Sequence, residues 1–200
     1  MVRALALSCT LKSSPAASST DKLAQEVLDA LAAHDVGGEL IRVVDHDVKP
    51  GVEADMGDGD AWPRIRANVL AADILIVASP TWMGHMSSVA QRVLERLDAE
   101  LSETDAAGRP LVEGKVAITA VVGNEDGAHK ITADIYQALA DVGFSIPSQG
   151  GTYWNGEAMH TVDYNDLDAV PDEVASATAT AARNAAHLAK LLTAQPYPPE

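Results

Sequence analysis

Three short stretches carry residues whose types and spacing suit ligand chemistry. The first, "SCTLKSSPAASST" (residues 8–20), is dense in Ser and Thr, contains Lys12 and has no acidic residue. It runs straight into "TDKLAQEVLDALAAH" (20–34), where Leu23, Val27, Leu28 and Leu31 share one helical face. Hydroxyls, free N–H groups and the positive end of a helix together suit a phosphate. Capping of the helix by Ser18, Ser19 or Thr20, with Asp21 in its first turn, is the plainer use of those residues. It leaves Lys12 and the remaining hydroxyls unexplained.

The second stretch, "VASPTWMGHMSS" (77–88), interrupts a buried-strand pattern with Pro80 and Gly84, yet offers Trp82 and Met83 to the same turn. Large apolar groups in a turn make sense where something flat and apolar lies against them, with Thr81 supplying polar contacts and Gly84 allowing close approach. Packing of Trp82 into the core is the alternative. The third, "VVGNEDGAH" (121–129), leaves another strand, and backbone N–H groups of Gly123, Asn124 and Gly127 suit the polar edge of a ring. Glu125 and Asp126 are expected to point away, toward solvent or the next helix, and His129 to face solvent. Tyr153 and Trp154 in "QGGTYWNG" either pack on the core or cover a neighbouring subunit's site.

Several chemistries are excluded. No GxxxxGK[ST] or GxGxxG occurs, so neither a P-loop nor a Rossmann-type dinucleotide cradle is expected. The six histidines show no HExxH spacing, "DMGDGD" lacks the order of a calcium loop, and there is no GxSxG elbow. No metal site and no catalytic side chain is nominated. The single cysteine, Cys9, allows neither an internal disulfide nor a cysteine-ligated cluster.

The elements that must position these stretches alternate. Strand-like "RALALS", "ELIRVVD", "DILIVASP", "KVAITAVVG" and "FSIPS" are separated by helical segments at 20–34, 61–72, 87–101 and 128–143, and residues 171–194 form a last, Ala-rich helix after Pro171. That alternation predicts an α/β fold: a doubly wound, flavodoxin-like five-stranded parallel sheet of order 2-1-3-4-5 with helices on both faces. A single domain spans 1–194, with 195–200 an extended or disordered tail, and the insertion at 155–170 lies on the surface. In such sheets ligands bind beyond the carboxyl ends of the strands, where all three stretches fall.

With 47% apolar and 22% charged residues and no long apolar run, the chain is expected to be soluble and cytoplasmic, without a membrane partner. A formal charge of −15 argues against nucleic acid and requires any anion to be attracted locally.

At the residue level "SPTWMGHMSS" resembles the flavin-contacting loop, S-P-T-x-x-G-x-M-S, of the NADPH-dependent FMN reductase and NAD(P)H:quinone reductase families. "LSCTLKSSPAASST" is similar to their phosphate loop, S-G-S-x-R followed by S/N-T, with Cys9 in place of the usual glycine and Lys12 in place of the frequent arginine. The resemblance implies that Thr10, Lys12, Ser18, Ser19 and Thr20 hold the phosphate of FMN. It places Pro80, Thr81, Trp82, Met83 and Gly84 along the isoalloxazine, and Gly123, Asn124 and Gly127 at its pyrimidine edge. It further implies hydride transfer from NAD(P)H through flavin N5 to a small acceptor such as a quinone or free flavin, in a homodimer or homotetramer. The apolar stripe of residues 89–101 is then a candidate interface, unless it faces the sheet. A non-enzymatic FMN electron carrier of the flavodoxin kind is the alternative.

Overall fold

The computed structural model describes residues 1–198. Parallel strands β1 (Arg3–Ser8), β2 (Gly37–Arg42), β3 (Ile74–Trp82), β5 (Val116–Gly123) and β6 (Gly151–Asn155) lie in the order β2-β1-β3-β5-β6. A sixth, β4 (His85–Met86), pairs antiparallel with the end of β3. The doubly wound, flavodoxin-like arrangement is as the alternation predicts, with this one added strand.

Each central strand is buried on both faces, which is why its sequence reads as continuous apolar residues. On one face Leu5, Leu7, Leu75, Val77 and Val121 pack with α2 (Trp62–Ala71), α3 (Ser88–Leu97) and α4 (Ala128–Asp141). On the other, Ala4, Ala6, Ile76 and Ile118 pack with α1 (Ser19–Ala32) and α5 (Asp172–Ala194), whose Ala182, Ala185 and Ala189 are small enough to lie close to the sheet. In the 89–101 stripe, Val93 and Leu97 are buried in the core, Val89 and Leu94 pack against it, and Leu101 is exposed.

Two elements differ from expectation. "ELIRVVD" stops being a strand at Arg42 and finishes in a single 3-10 turn, Val43–Asp45. The last strand is displaced from "FSIPS", which keeps only an isolated bridge from Ser145 to Val116, to Gly151–Asn155. Pro147 lacks the N–H a ladder needs. Gly151 enters where a Cβ would stand 2.7 Å from the Thr119 hydroxyl, so a glycine is what lets the strand begin there. Of the predicted tail, residues 195–198 carry neither helix nor strand, and Pro199 and Glu200 lie outside the described residues.

The acidic loop at 46–60 has no regular structure, yet it is fixed at its centre. Arg96 of α3, fully buried, pairs with Asp60 at 2.8 Å and donates to the carbonyls of Lys49 and Glu53, with its guanidinium 5.6 Å from the Trp62 ring. Asp60 in turn accepts from the backbone N–H groups of Lys49, Met56 and Trp62. Burial alone would raise the Asp60 pKa, but these donors outweigh it and hold the carboxyl at about 2 against an ordinary 3.8.

Because the folded value is depressed, this stabilisation is complete above the unfolded pKa and is lost as pH falls from about 4 toward 2. The shift corresponds to roughly 2 kcal/mol. Asp60→Ala, which leaves the guanidinium buried and unpaired, is expected to cost about 3–5 kcal/mol. Urea unfolding at neutral pH measures it, and an unchanged midpoint would contradict the assignment.

Candidate functional site

The connectors after β1, β3 and β5 converge on one cleft at the carboxyl edge of the sheet. Its walls include Thr10, Lys12 and Ser18–Thr20 from the first, Pro80–Trp82 from the second, and Gly123 and Asn124 from the third. Leu11, Val122 and Asp163, not singled out from sequence, complete it together with Trp154, whose place the sequence left open. Met83, Gly84 and Gly127 lie outside the cleft lining and build the turns beside it.

The first connector owes its shape to side chains around it. Ser18 caps α1, its Oγ accepting the Asp21 N–H at 3.3 Å, so the plainer use of that hydroxyl is real. Ser18 and Thr20 are nevertheless in the cleft wall, at the positive end of the helix. Arg42, at the end of β2, donates to the Ala16 carbonyl at 2.9 Å and the Lys12 carbonyl at 3.3 Å. The same guanidinium pairs with Asp21, which also accepts from the Ser8 hydroxyl. Asp45 takes both the N–H and the hydroxyl of Ser14, and these bonds hold its carboxyl below the usual range.

The second connector is a β-hairpin. Trp82 pairs with His85 across a two-residue turn, Met83–Gly84, with φ of 53° and 73°. Positive φ at both central residues is the mark of the turn that matches strand twist, and it explains Gly84. Met83 adopts it at a cost of about 1–2 kcal/mol for a residue with a Cβ. Glu125 compensates: its carboxylate accepts the Met83 N–H at 2.8 Å and the Gly84 N–H at 3.2 Å. Glu125 therefore turns toward the hairpin, contrary to expectation, because two adjacent N–H groups offset its charge. Asp126 instead accepts the Gly127 N–H ahead of α4.

Glycine allows the connectors to touch. A Cβ on Gly127 would lie 2.8 Å from the Gly84 Cα, and one on Gly123 would lie 2.7 Å from the Thr81 Cβ. Ser87 ties the second connector to the first by donating to the Cys9 carbonyl at 2.6 Å while capping α3. Trp82 stays 53% exposed and does not fill the cleft. Thr81 Oγ1 is buried without a hydrogen-bond partner.

The insertion forms a further wall. Tyr164 is buried, donates to Glu26 at 2.6 Å and packs on Trp154, which corrects the expectation of a segment lying wholly on the surface. Burial, reinforced by the neighbouring Glu26 carboxylate, pushes the Tyr164 phenol up. His129 and Tyr153 pair with each other at 3.0 Å, outside the cleft lining. Among the described residues no group of three His, Cys, Asp or Glu could hold a metal ion.

The cleft thus has a hydroxyl-rich end at a helix N-terminus, a flat apolar platform, and a polar wall between them. Lys12 and the hydroxyls at one end and Pro80 and Trp82 at the other fit a phosphorylated planar ligand, and the orphaned buried hydroxyl of Thr81 leaves a polar group in the wall without a protein partner. The family model described as NADPH-dependent FMN reductase matches residues 2–159. The chain belongs to that family. The family supports FMN as cofactor with NAD(P)H as electron donor, and the residues lining this cleft suit that flavin.

Relatives give detail. The chain is 30% identical, over 98% of its length and 80% of the relative's, to an 8-demethyl-8-aminoriboflavin-5′-phosphate synthase of Streptomyces davaonensis. It superimposes with a TM-score of 0.89 and 28% identity on RosB, solved with bound 8-demethyl-8-formylriboflavin-5′-phosphate, covering 98% of this chain and 82% of that one. An apo NADH:FMN oxidoreductase, EMOB, shares the fold at a TM-score of 0.64 and 22% identity, with 98% and 92% covered. The chain is also 37% identical over 82% of its length to a divalent metal cation transporter, MntH, of Mycobacterium bovis, but spans only 25% of that protein. Among the described residues no helix is long and apolar enough to cross a membrane.

Glu125→Ala is expected to loosen the hairpin tip, speeding hydrogen exchange at the Met83 and Gly84 amides at least tenfold with little change in global stability. Gly127→Ala, with φ at 146° and no room for a Cβ, is expected to lower stability by more than 1 kcal/mol in thermal unfolding.

Proposed function

We propose that the chain binds FMN in this cleft and transfers hydride from NAD(P)H to a small acceptor such as a quinone or a free flavin. The observation that carries the reading is the cleft itself: an anion-accepting connector at one end, Pro80–Trp82 at the other, and an unpartnered Thr81 hydroxyl in its wall. When bound, FMN supplies two-electron redox chemistry; the protein contributes position and electrostatics. Lys12, the hydroxyls of Thr10 and Ser18–Thr20, and the α1 N-terminus hold the phosphate against the −15 overall charge. Pro80, Thr81 and Trp82 seat one side of the ring, and Gly123 and Asn124 border its polar edge. No side chain is asked to give or take a proton.

A second reading is favoured by the Streptomyces relative, whose name makes a riboflavin 5′-phosphate derivative its product. In that reading the same cleft holds the flavin as substrate. Mass spectrometry of the flavin after turnover separates the two: an unchanged mass supports the reductase, and an altered ring substituent supports flavin modification.

Visible spectra of the protein with FMN, before and after NADPH, test binding and reduction; an unperturbed flavin spectrum and no NAD(P)H oxidation would defeat the proposal. Bleaching by a partner flavoprotein alone would mark an electron carrier. Thr81→Val is expected to leave the ligand-free protein as stable or more stable, because it removes an unsatisfied buried hydroxyl, and to weaken FMN binding on the order of tenfold. Thermal unfolding and fluorescence titration read the two effects.

A further inference from the structure

The family match ends at residue 159, yet the cleft wall does not. Asp163 lines it, carried on a segment fixed at three points. The Tyr164 hydroxyl donates to Glu26 at 2.6 Å, the Tyr164 carbonyl accepts from Lys22 at 3.0 Å, and the Asn165 N–H donates to Ser19 Oγ at 3.3 Å. The Asp163 backbone N–H is itself taken by Asp166 at 2.8 Å. Its carboxylate accepts from the Asn124 side chain at 3.3 Å.

These contacts locate Asp163 between two parts of the cleft. Asn124 stands at the end of β5, beside the platform, and Ser19 stands in the hydroxyl-rich connector. An ionised carboxylate is an acceptor with about four lone-pair sites, so the bond from Asn124 and the capping-box contact with the Asp166 backbone leave capacity for donors from a ligand. A phosphate offers no donors and is repelled by the charge. FMN's donors are the N–H at the ring's pyrimidine edge and the hydroxyls on the chain that joins ring to phosphate; a residue bonded to Asn124, on a segment that is also bonded to Ser19 of the hydroxyl-rich connector, lies on the way from the one to the other.

We propose that Asp163 is a specificity-determining residue that accepts hydrogen bonds from the ribityl hydroxyls, so that the cleft selects flavins with a polyhydroxylated linker. The proposal rests on the flavin reading above. It assigns the segment after the family match a role in ligand choice, acting through direct contact with the linker.

The test compares FMN with an analogue in which a 5-phosphopentyl chain replaces the phosphorylated ribityl chain, titrated against wild type, Asp163→Ala and Asp163→Asn. Both ligands carry the same phosphate, so the ratio of their dissociation constants cancels the repulsion between carboxylate and phosphate. Because both are measured on one preparation, the ratio also cancels any unfolded fraction. Flavin fluorescence and the tryptophan emission, to which Trp82 and Trp154 of the cleft contribute, are independent readouts.

Wild type is expected to prefer FMN by at least about tenfold, Asp163→Ala to bring that ratio down to near one, and Asp163→Asn, which keeps one acceptor oxygen, to fall between. A ratio that is the same in Asp163→Ala as in wild type overturns the proposal while leaving FMN binding intact. Failure of wild type to bind either flavin overturns the flavin reading and this inference with it.

Discussion

A single guanidinium decides the shape of the hydroxyl-rich connector. Arg42 leaves the last residue of an edge strand and gathers two carbonyls of the first connector and the carboxylate that opens α1. Its side chain is only 12% exposed and that of Asp21 21%, so the pair is less screened than a surface ion pair. Ser8 adds its hydroxyl to the same carboxylate from the end of β1. Fixing the start of α1 to the ends of two neighbouring strands is what allows a loop of small hydroxyl residues, with little apolar surface of its own, to keep one conformation. For the proposed phosphate such local order matters all the more, since the negative charge of the whole molecule gives an anion no long-range attraction.

The other two connectors are ordered by each other. Glu125 holds the backbone of the hairpin tip, and Gly127 lets the third connector lie against Gly84. The platform and the polar edge of the cleft are therefore one unit. The first connector joins it through Ser87, which reaches the Cys9 carbonyl.

Much of this was legible in residue order. Strands buried on both faces announce themselves as apolar runs, and the hydroxyl density of 8–20 and the pairing of Pro80 with Trp82 pointed to the carboxyl edge of the sheet, where these residues line one cleft. What was not legible depends on partners distant in sequence. Arg42 looks like any strand-end charge until its carbonyl partners are seen. The last strand was hidden because Gly150 and Gly151 read as a loop, whereas each is required by a neighbour: a Cβ on Gly150 would meet Pro147 at 2.8 Å. Glu125 was expected to avoid the site on grounds of charge, which ignores that a hairpin with two left-handed residues presents adjacent N–H groups. Tyr164 and Asp163 gave no signal, since an irregular segment shows no periodicity to betray a buried face.

The knot between Arg96 and Asp60 bears on where the chain can be cut. A long acidic segment rich in glycine is ordinarily the first place a protease enters. Here the carbonyls of Lys49 and Glu53 and the amides of Lys49, Met56 and Trp62 are all engaged by buried charge, so the segment cannot thread through an enzyme's groove without α3 coming away. The exposed stretch at 157–162, between the last strand and Tyr164, has no such buried anchor on its backbone among the described residues. A nick there would leave the sheet standing and free the wall that carries Asp163.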